Sequence, residues 1–465
     1  MSGSVRGGSP SSQRAAPAPT GERSYATGAR MLSIGIASTG VLTLAYFALA
    51  GHLLDHGGKA SPQYSHLDVL WSVMFVIISV IYRPIEQLLS RTIADHRARG
   101  ISALPMRVPI TIQSSFALVF LAVALPLHRE LSHHVFASTT LYWIFVVGIV
   151  AYAASYFARG WLAGHKYFAL YGGLVFMESA SRIAFAIAAA VGITHGQSAI
   201  AVGIAAAPFV SLVVVPAAFA SRAAREDRSV LAGDAALEGP AAEGIEEATS
   251  DLSIRRGSGF AIAVSGIQLA EQTLLNAAVL TIAASQGSSS ALPGIAFNVL
   301  LITRAPLQLF QAIQTSLLPH LAGLEVTRGR AAFAQAIRVT VLAIAAFAIA
   351  VAIGLLAIGP FVLHHLFHNN YGYSRFGLAL IAAGMGLHLS AGALNQAALA
   401  RGQAARAAAL WLAAAAIFVV WMEIGVIRDE IMRTEVGYAG AAGLLAIALF
   451  AIYRRGSPTA SASAT

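Results

Sequence analysis

Met31 to Ala50 reads MLSIGIASTGVLTLAYFALA, twenty positions without one charged side chain. A bilayer core about 30 Å thick is crossed by about 20 predominantly apolar helical residues, so this stretch reads as one crossing. Working outward from it, eleven further apolar runs lie near 69–90, 107–127, 137–157, 168–193, 198–220, 258–283, 291–318, 332–357, 374–398, 405–423 and 437–453. They fall six and six about a polar linker. The chain is 57% hydrophobic and 11% charged, where a soluble domain carries about 25% charged residues. The expectation is an all-α integral membrane protein with about twelve transmembrane helices, in two pseudo-symmetric six-helix bundles around a central cavity.

Lysine and arginine set the orientation, because short cytoplasmic loops collect them. With the N-terminus inside, the cytoplasmic segments and helix mouths hold 22 of the 30, the outer loops five (Lys59, Arg129, Arg375, Arg428 and Arg433) and the spans three. Both termini are therefore expected in the cytoplasm, with the protein multi-pass in the plasma membrane. The formal charge of +9 follows from this topology and from contact with the anionic inner leaflet, without nucleic acid. Ala48-Leu49-Ala50 ahead of Gly51 imitates a signal-peptidase site. The apolar run is longer than the roughly 7–15 residues of a signal peptide and follows a long tail, so cleavage is not expected. The chain has no cysteine, which excludes disulfides and thiolate metal sites.

Residues 1–30 are rich in Gly, Ser, Pro, Ala and Arg without apolar periodicity, and read as a disordered cytoplasmic tail. Residues 31–220 form the first bundle, 221–257 a cytoplasmic linker whose eight acids face five arginines, 258–455 the second bundle, and 456–465 a low-complexity tail. Two short matches suggest internal duplication. Arg83-Pro84-Ile85-Glu86-Gln87 in span two parallels Arg304-Ala305-Pro306-Leu307-Gln308 in span eight. Ala158-Arg159-Gly160 parallels Ala400-Arg401-Gly402 at the mouths of spans four and ten.

An ionisable group inside a span costs roughly 2.5–3.5 kcal/mol on insertion scales and is a functional candidate by default. Six lie well inside: Arg83, Glu86, Glu178, Arg182, Glu271 and Arg304. Glu178 and Arg182 stand four apart with the acid first, the favourable order for a pair on one helix, and Arg83 with Glu86 has a similar opportunity. Glu271 has no Lys or Arg between Arg256 and Arg304, so Arg304 is its candidate partner across two spans. Alternatively Glu271 titrates and Arg304 holds an anion. Gln268, Gln272 and Asn276 recur every four residues beside Glu271, a stripe that faces water or a cavity. His388 reads as a packing histidine. His364, His365 and His368 have a spacing a metal could use, but no carboxylate stands beside them, and no metal is expected. The outer loops are short, with no Asp-x-Asp pair, and no Gly-x-x-x-x-Gly-Lys loop occurs, so no enzymatic activity is expected.

Twelve spans in two halves, cytoplasmic termini, a linker after span six and interior arginines resemble the multidrug/oligosaccharidyl-lipid/polysaccharide (MOP) exporter superfamily. Arg83-Pro84-Ile85-Glu86-Gln87-Leu88-Leu89-Ser90-Arg91 through Arg97-Ala98-Arg99-Gly100, and Arg159-Gly160-Trp161-Leu162-Ala163-Gly164 followed by Tyr167-Phe168, resemble its actinobacterial polysaccharide flippase-like branch. The resemblance implies alternating access and a polyprenyl-diphosphate-linked glycan as cargo, moved from inner to outer leaflet. Arg83, Arg304 and Arg182, with Gln268, Gln272 and Asn276, would bind it, since arginine offers a planar fork to phosphate. Arg159 and Arg401 would attract it at the inner mouth. Glu271, Glu86 and Glu178 would couple transport to H+ or Na+, with no other cofactor. Membrane lipids and the glycosyltransferases or polymerase of the same pathway are the implied partners. A multidrug or small-molecule cation antiporter, of the same superfamily or of the major facilitator type, is the alternative. A non-transporting scaffold for envelope synthesis is a third reading.

Overall fold

The computed structural model describes residues 20–55, 61–98, 107–165, 167–214, 216, 246–287, 289–367 and 371–455. The expected tails and most of the linker lie outside these residues. Helix α1 is Thr20–Leu54, α2 Pro62–Ala98, α3 Arg107–Ala124, α4 Thr139–Gly164, α5 Phe168–Ala190, α6 Gly196–Ser211, α7 Glu246–Gln286, α8 Leu292–Phe367, α9 Arg375–Ala400, α10 Ala404–Ile424 and α11 Glu430–Arg455. Helices α1 and α7 thus begin before residues 31 and 258, because polar sequence outside a bilayer can extend a helix already nucleated by an apolar span.

Among the described residues nine helical stretches are long and apolar enough to cross a membrane. A tenth is the bent pair Gln113–Ala124 and His128–Val135, and Gly196–Ser211 and Leu292–Ile302 are shorter apolar helices at the expected sixth and eighth spans. The fourth span runs on to Gly164 rather than stopping near residue 157, which carries Arg159 into the helix.

Helix α8 is the least expected element, with 76 residues where two separate spans were anticipated. Its beginning meets α2, where the Gly294 amide donates to Ser65 Oγ at 3.1 Å. Its end meets α1, where a methyl group placed on Gly51 would lie 3.2 Å from the Phe367 carbonyl oxygen. Those two sites share one end of the bundle, because the Ser61 amide donates to Asp55 Oδ1 at 2.8 Å and closes the α1–α2 connection. Seventy-three residues of straight helix would span about 110 Å. The element therefore folds back between its ends and supplies two crossings.

Packing repeats across the halves. Helix α1 lies against α5 as α7 lies against α10, α2 against α4 as α8 against α9, and α5 against α6 as α10 against α11. The seam between halves is made by α1 with α8 and by α2 with α7 and α8. Small residues permit close approaches, as in membrane bundles generally: a methyl on Gly160 would lie 2.8 Å from the Glu86 carbonyl oxygen, which brings α4 against α2. One apolar core runs through both halves and includes Phe47 and Phe297, whose rings meet across the seam at 4.6 Å.

Candidate functional site

The first half encloses a cavity of about 200 Å³. Its walls come from α1, α2, α4 and α5, and Gln272, Leu275 and Asn276 of α7 with Leu307 of α8 close it from the second half. Five of the groups singled out by charge line it: Arg83, Glu86, Arg159, Glu178 and Arg182.

The partners differ from those that spacing suggests. Glu178, 2% exposed, pairs with Arg159 of α4 and not with Arg182 on its own helix. It also accepts from the Ser155 hydroxyl and from Ser211 Oγ at 3.4 Å. Arg159, expected at the inner mouth, lines the cavity, with its guanidinium over the Tyr156 ring at 4.4 Å. The i,i+4 geometry offered Glu178 one possible partner, but an adjacent helix offered a better one. A carboxylate taken out of water needs both a counter-charge and hydroxyl donors, and α4 presents both on one face.

Arg182 is freed by this exchange. It donates to Tyr152 Oη at 3.2 Å and Ser179 Oγ at 3.0 Å and lies 4.9 Å above the Trp71 ring. Among the described residues its partners are all neutral, although it is only 3% exposed. Arg83 and Glu86 do not pair either. Arg83 donates to Gln268 Oε1 of α7 at 3.0 Å across the seam, and Glu86 accepts the Tyr171 hydroxyl at 2.5 Å.

Glu271 accepts from Gln268 Nε2 at 3.3 Å, so Gln268 links Arg83 to Glu271. Glu271 itself is not among the groups that line the cavity. Asn276 donates to Gln272 Oε1 at 3.2 Å, and both line the cavity. The side chain of Arg304 lies outside the described residues, so the expected Glu271–Arg304 pair does too. Along their helices Arg83 stands 21 residues past the start of α2 and Arg304 twelve past the start of α8.

Arg401 is not part of the cavity. Its guanidinium lies over Phe333 at 4.5 Å and Tyr453 at 4.8 Å and donates to the Tyr453 carbonyl at 3.2 Å. His388 is buried and shares a hydrogen bond with Tyr438 Oη at 3.2 Å. No group of three His, Asp or Glu side chains able to hold a metal occurs among the described residues, and His368 is not one of them.

Sequence reading missed the cavity's aromatic wall. Trp71 stacks on Phe75 at 3.9 Å, and Tyr152, Tyr156 and Tyr171 complete the lining. A signal was present: Tyr152, Ser155, Tyr156 and Arg159 are spaced three and four apart, one stripe of a helix.

No family model matches the chain, and no curated protein matches its sequence. Solved structures do. The Vibrio cholerae MATE transporter VcmN, in a point-mutant form, superposes with a TM-score of 0.59 at 14% identity over 94% of this chain and 98% of that one. The eukaryotic MATE transporter AtDTX14 gives 0.61 at 12% identity, over 94% and 96%. The chain has the fold of MATE transporters. A structure described as the inward-facing conformation of a multidrug resistance MATE family transporter of the MOP superfamily gives 0.59 at 12% identity, over 91% and 97%. The superfamily suggested by the sequence is thus also that of a structural neighbour. None of these structures distinguishes the polysaccharide flippase branch.

Proposed function

We propose that the chain is a secondary-active membrane exporter in which the two halves alternate access to the cavity of the first half. The observation that carries this reading is the set of carboxylates and arginines, buried at Glu178 and Arg182 and half-buried at Arg83, Glu86 and Arg159, around one small aromatic cavity. Glu178 and Glu86 are held by hydroxyl donors and arginine, so a proton or sodium ion exchanged there would change how the cargo is held. The cargo reading that accords with the MATE neighbours is a small amphiphile, expelled by antiport. The aromatic wall of Trp71, Phe75, Tyr152, Tyr156 and Tyr171 supports it, since aromatic faces attract a cationic amphiphile. In this reading both termini are cytoplasmic and the membrane is the plasma membrane.

One observation favours the second reading, a flippase for a polyprenyl-diphosphate-linked glycan working beside envelope glycosyltransferases or a polymerase. Arg182 is a buried cation with neutral partners, which suits an anionic head group. Proteoliposomes decide between the two. Under an imposed proton or sodium gradient, gradient-driven ethidium movement blocked by Glu178→Gln supports antiport. Leaflet exchange of a fluorescent polyprenyl diphosphate, blocked by Arg182→Ala, supports the flippase. Neither activity above empty vesicles would overturn the transporter reading.

A further inference from the structure

The seam between halves is fastened at two levels of α2. Ser65 and Arg83 stand eighteen residues apart on that helix, about 27 Å at 1.5 Å per residue. Trp71, Phe75 and Ser79, which line the cavity, lie between them. At the first level the bonds join buried, uncharged groups. Tyr64 Oη donates to Asn298 Oδ1 of α8 at 2.6 Å, and the Gly294 amide donates to Ser65 Oγ at 3.1 Å. Phe297, next to Asn298 in the chain, adds its ring contact with Phe47.

At the second level the bond is of another kind. Arg83 Nη1 donates to Gln268 Oε1 of α7 at 3.0 Å, and Gln268 Nε2 donates to Glu271 Oε2 at 3.3 Å. Arg83 and Gln268 are both half-buried. Opening the first level would bring buried aromatic surface into water, at the loss of its hydrophobic gain. Opening the second returns a guanidinium and an amide to water, which bonds both well. The seam is therefore easier to part at the Arg83 end.

We infer that Gln268 is the latch at that end, and that its amide sets how readily α2 and α7 part there. An amide carries both an acceptor and donors. Its oxygen holds Arg83 of the first half and its nitrogen holds Glu271 of the second, so one uncharged side chain serves two opposite charges. A carboxylate at position 268 would tie Arg83 by a full ion pair, and an apolar side chain would not hold it. Alternating access needs a bond between these extremes, because a state left in every cycle cannot be overwhelmingly favoured.

The latch rests on the alternating access proposed above but on no particular cargo, so it can fail while transport stands, and the reverse. The chain has no cysteine, so spin labels go only where placed. Gln87→Cys with Ile262→Cys puts labels on exposed positions of α2 and α7 at the Arg83 end. Gln63→Cys with Ser289→Cys does the same at the Ser65 end. Label-to-label distances are measured by pulsed electron resonance in nanodiscs. Gln268→Leu should raise the ratio of long to short distances at the Arg83 end at least about tenfold, the worth of a hydrogen bond to a charged group. Gln268→Glu should hold that ratio at or below the wild-type value, and neither variant should lengthen the distance at the Ser65 end. An unchanged ratio in Gln268→Leu overturns the latch. So does lengthening at both ends, which is general loosening, or a Gln268→Glu protein that opens as Gln268→Leu does.

Discussion

The two halves share a frame and differ in what they bury. Helices α4 and α9 are each 26 residues long and each begins after a serine, Ser138 or Ser374, whose hydroxyl caps the amide three residues on. A single offset of 236 residues relates α4 to α9 and also the start of α5, Phe168, to the start of α10, Ala404. Under that offset Gly148 matches Gly384, Tyr152 matches His388, Arg159 matches Asn395, Glu178 matches Ala414 and Arg182 matches Phe418. Ala414 and Phe418 are buried in the second half's core. The same scaffold therefore holds an uncharged asparagine, an alanine and a phenylalanine where the first half holds an ion pair and a further arginine. Charge at these positions is not what the fold requires, so its burial in the first half points to work done there.

The largest effect should come from breaking the pair. Glu178→Ala leaves Arg159 buried without its counter-charge, which costs about 3–5 kcal/mol. Purified protein should unfold at a markedly lower temperature. The double change Glu178→Gln with Arg159→Gln should recover most of that stability and none of the transport. Recovery of both would mean that the first half's charges are structural after all.

Next in size is Arg182→Phe, which copies the second half into the first. Transport should fall at least about tenfold, the worth of about 1.4 kcal/mol, while thermal stability changes little. A collapse of stability with residual transport would make Arg182 a packing residue. Arg182→Lys should restore only part of the activity, because lysine lacks the planar fork.

Tyr171→Phe removes the hydroxyl that Glu86 accepts. Hydrogen bonds to charged groups contribute about 1.5–3 kcal/mol, so a moderate loss of stability is expected, with the ion dependence of transport altered. Its counterpart in the comparison is Arg401→Gln in the second half. Loss of the contacts with Phe333 and Tyr453 should cost about 0.5–1 kcal/mol and leave transport unchanged. A transport defect there would extend the functional surface beyond the first half.

The Ala-Arg-Gly match shows how far sequence likeness carries. Arg159 lies inside α4, with Gly160 giving close packing against α2. Arg401 is the residue that ends α9, and Gly402 follows in a left-handed turn at φ +71°. The three-letter match is therefore out of step with the structural repeat by six residues. The shared serine caps and helix lengths carry the structural repeat, not the matched motif.

Composition and apolar run length determined the helices, their approximate number and the division into two halves, because in a bilayer every backbone group must be satisfied within its own helix. Sequence also marked the buried charges, since an ionisable side chain stands out in an apolar run. Tertiary structure alone decided their partners. Glu178 could reach Arg182 one turn away or Arg159 nineteen residues away, and the choice depended on which helix packed against it and brought hydroxyl donors. The same holds for Gln268, whose bond to Arg83 joins residues 185 apart in the chain. Helix formation is local and leaves its mark in local sequence, whereas the pairing of buried charges is set by contacts between helices that no local pattern encodes.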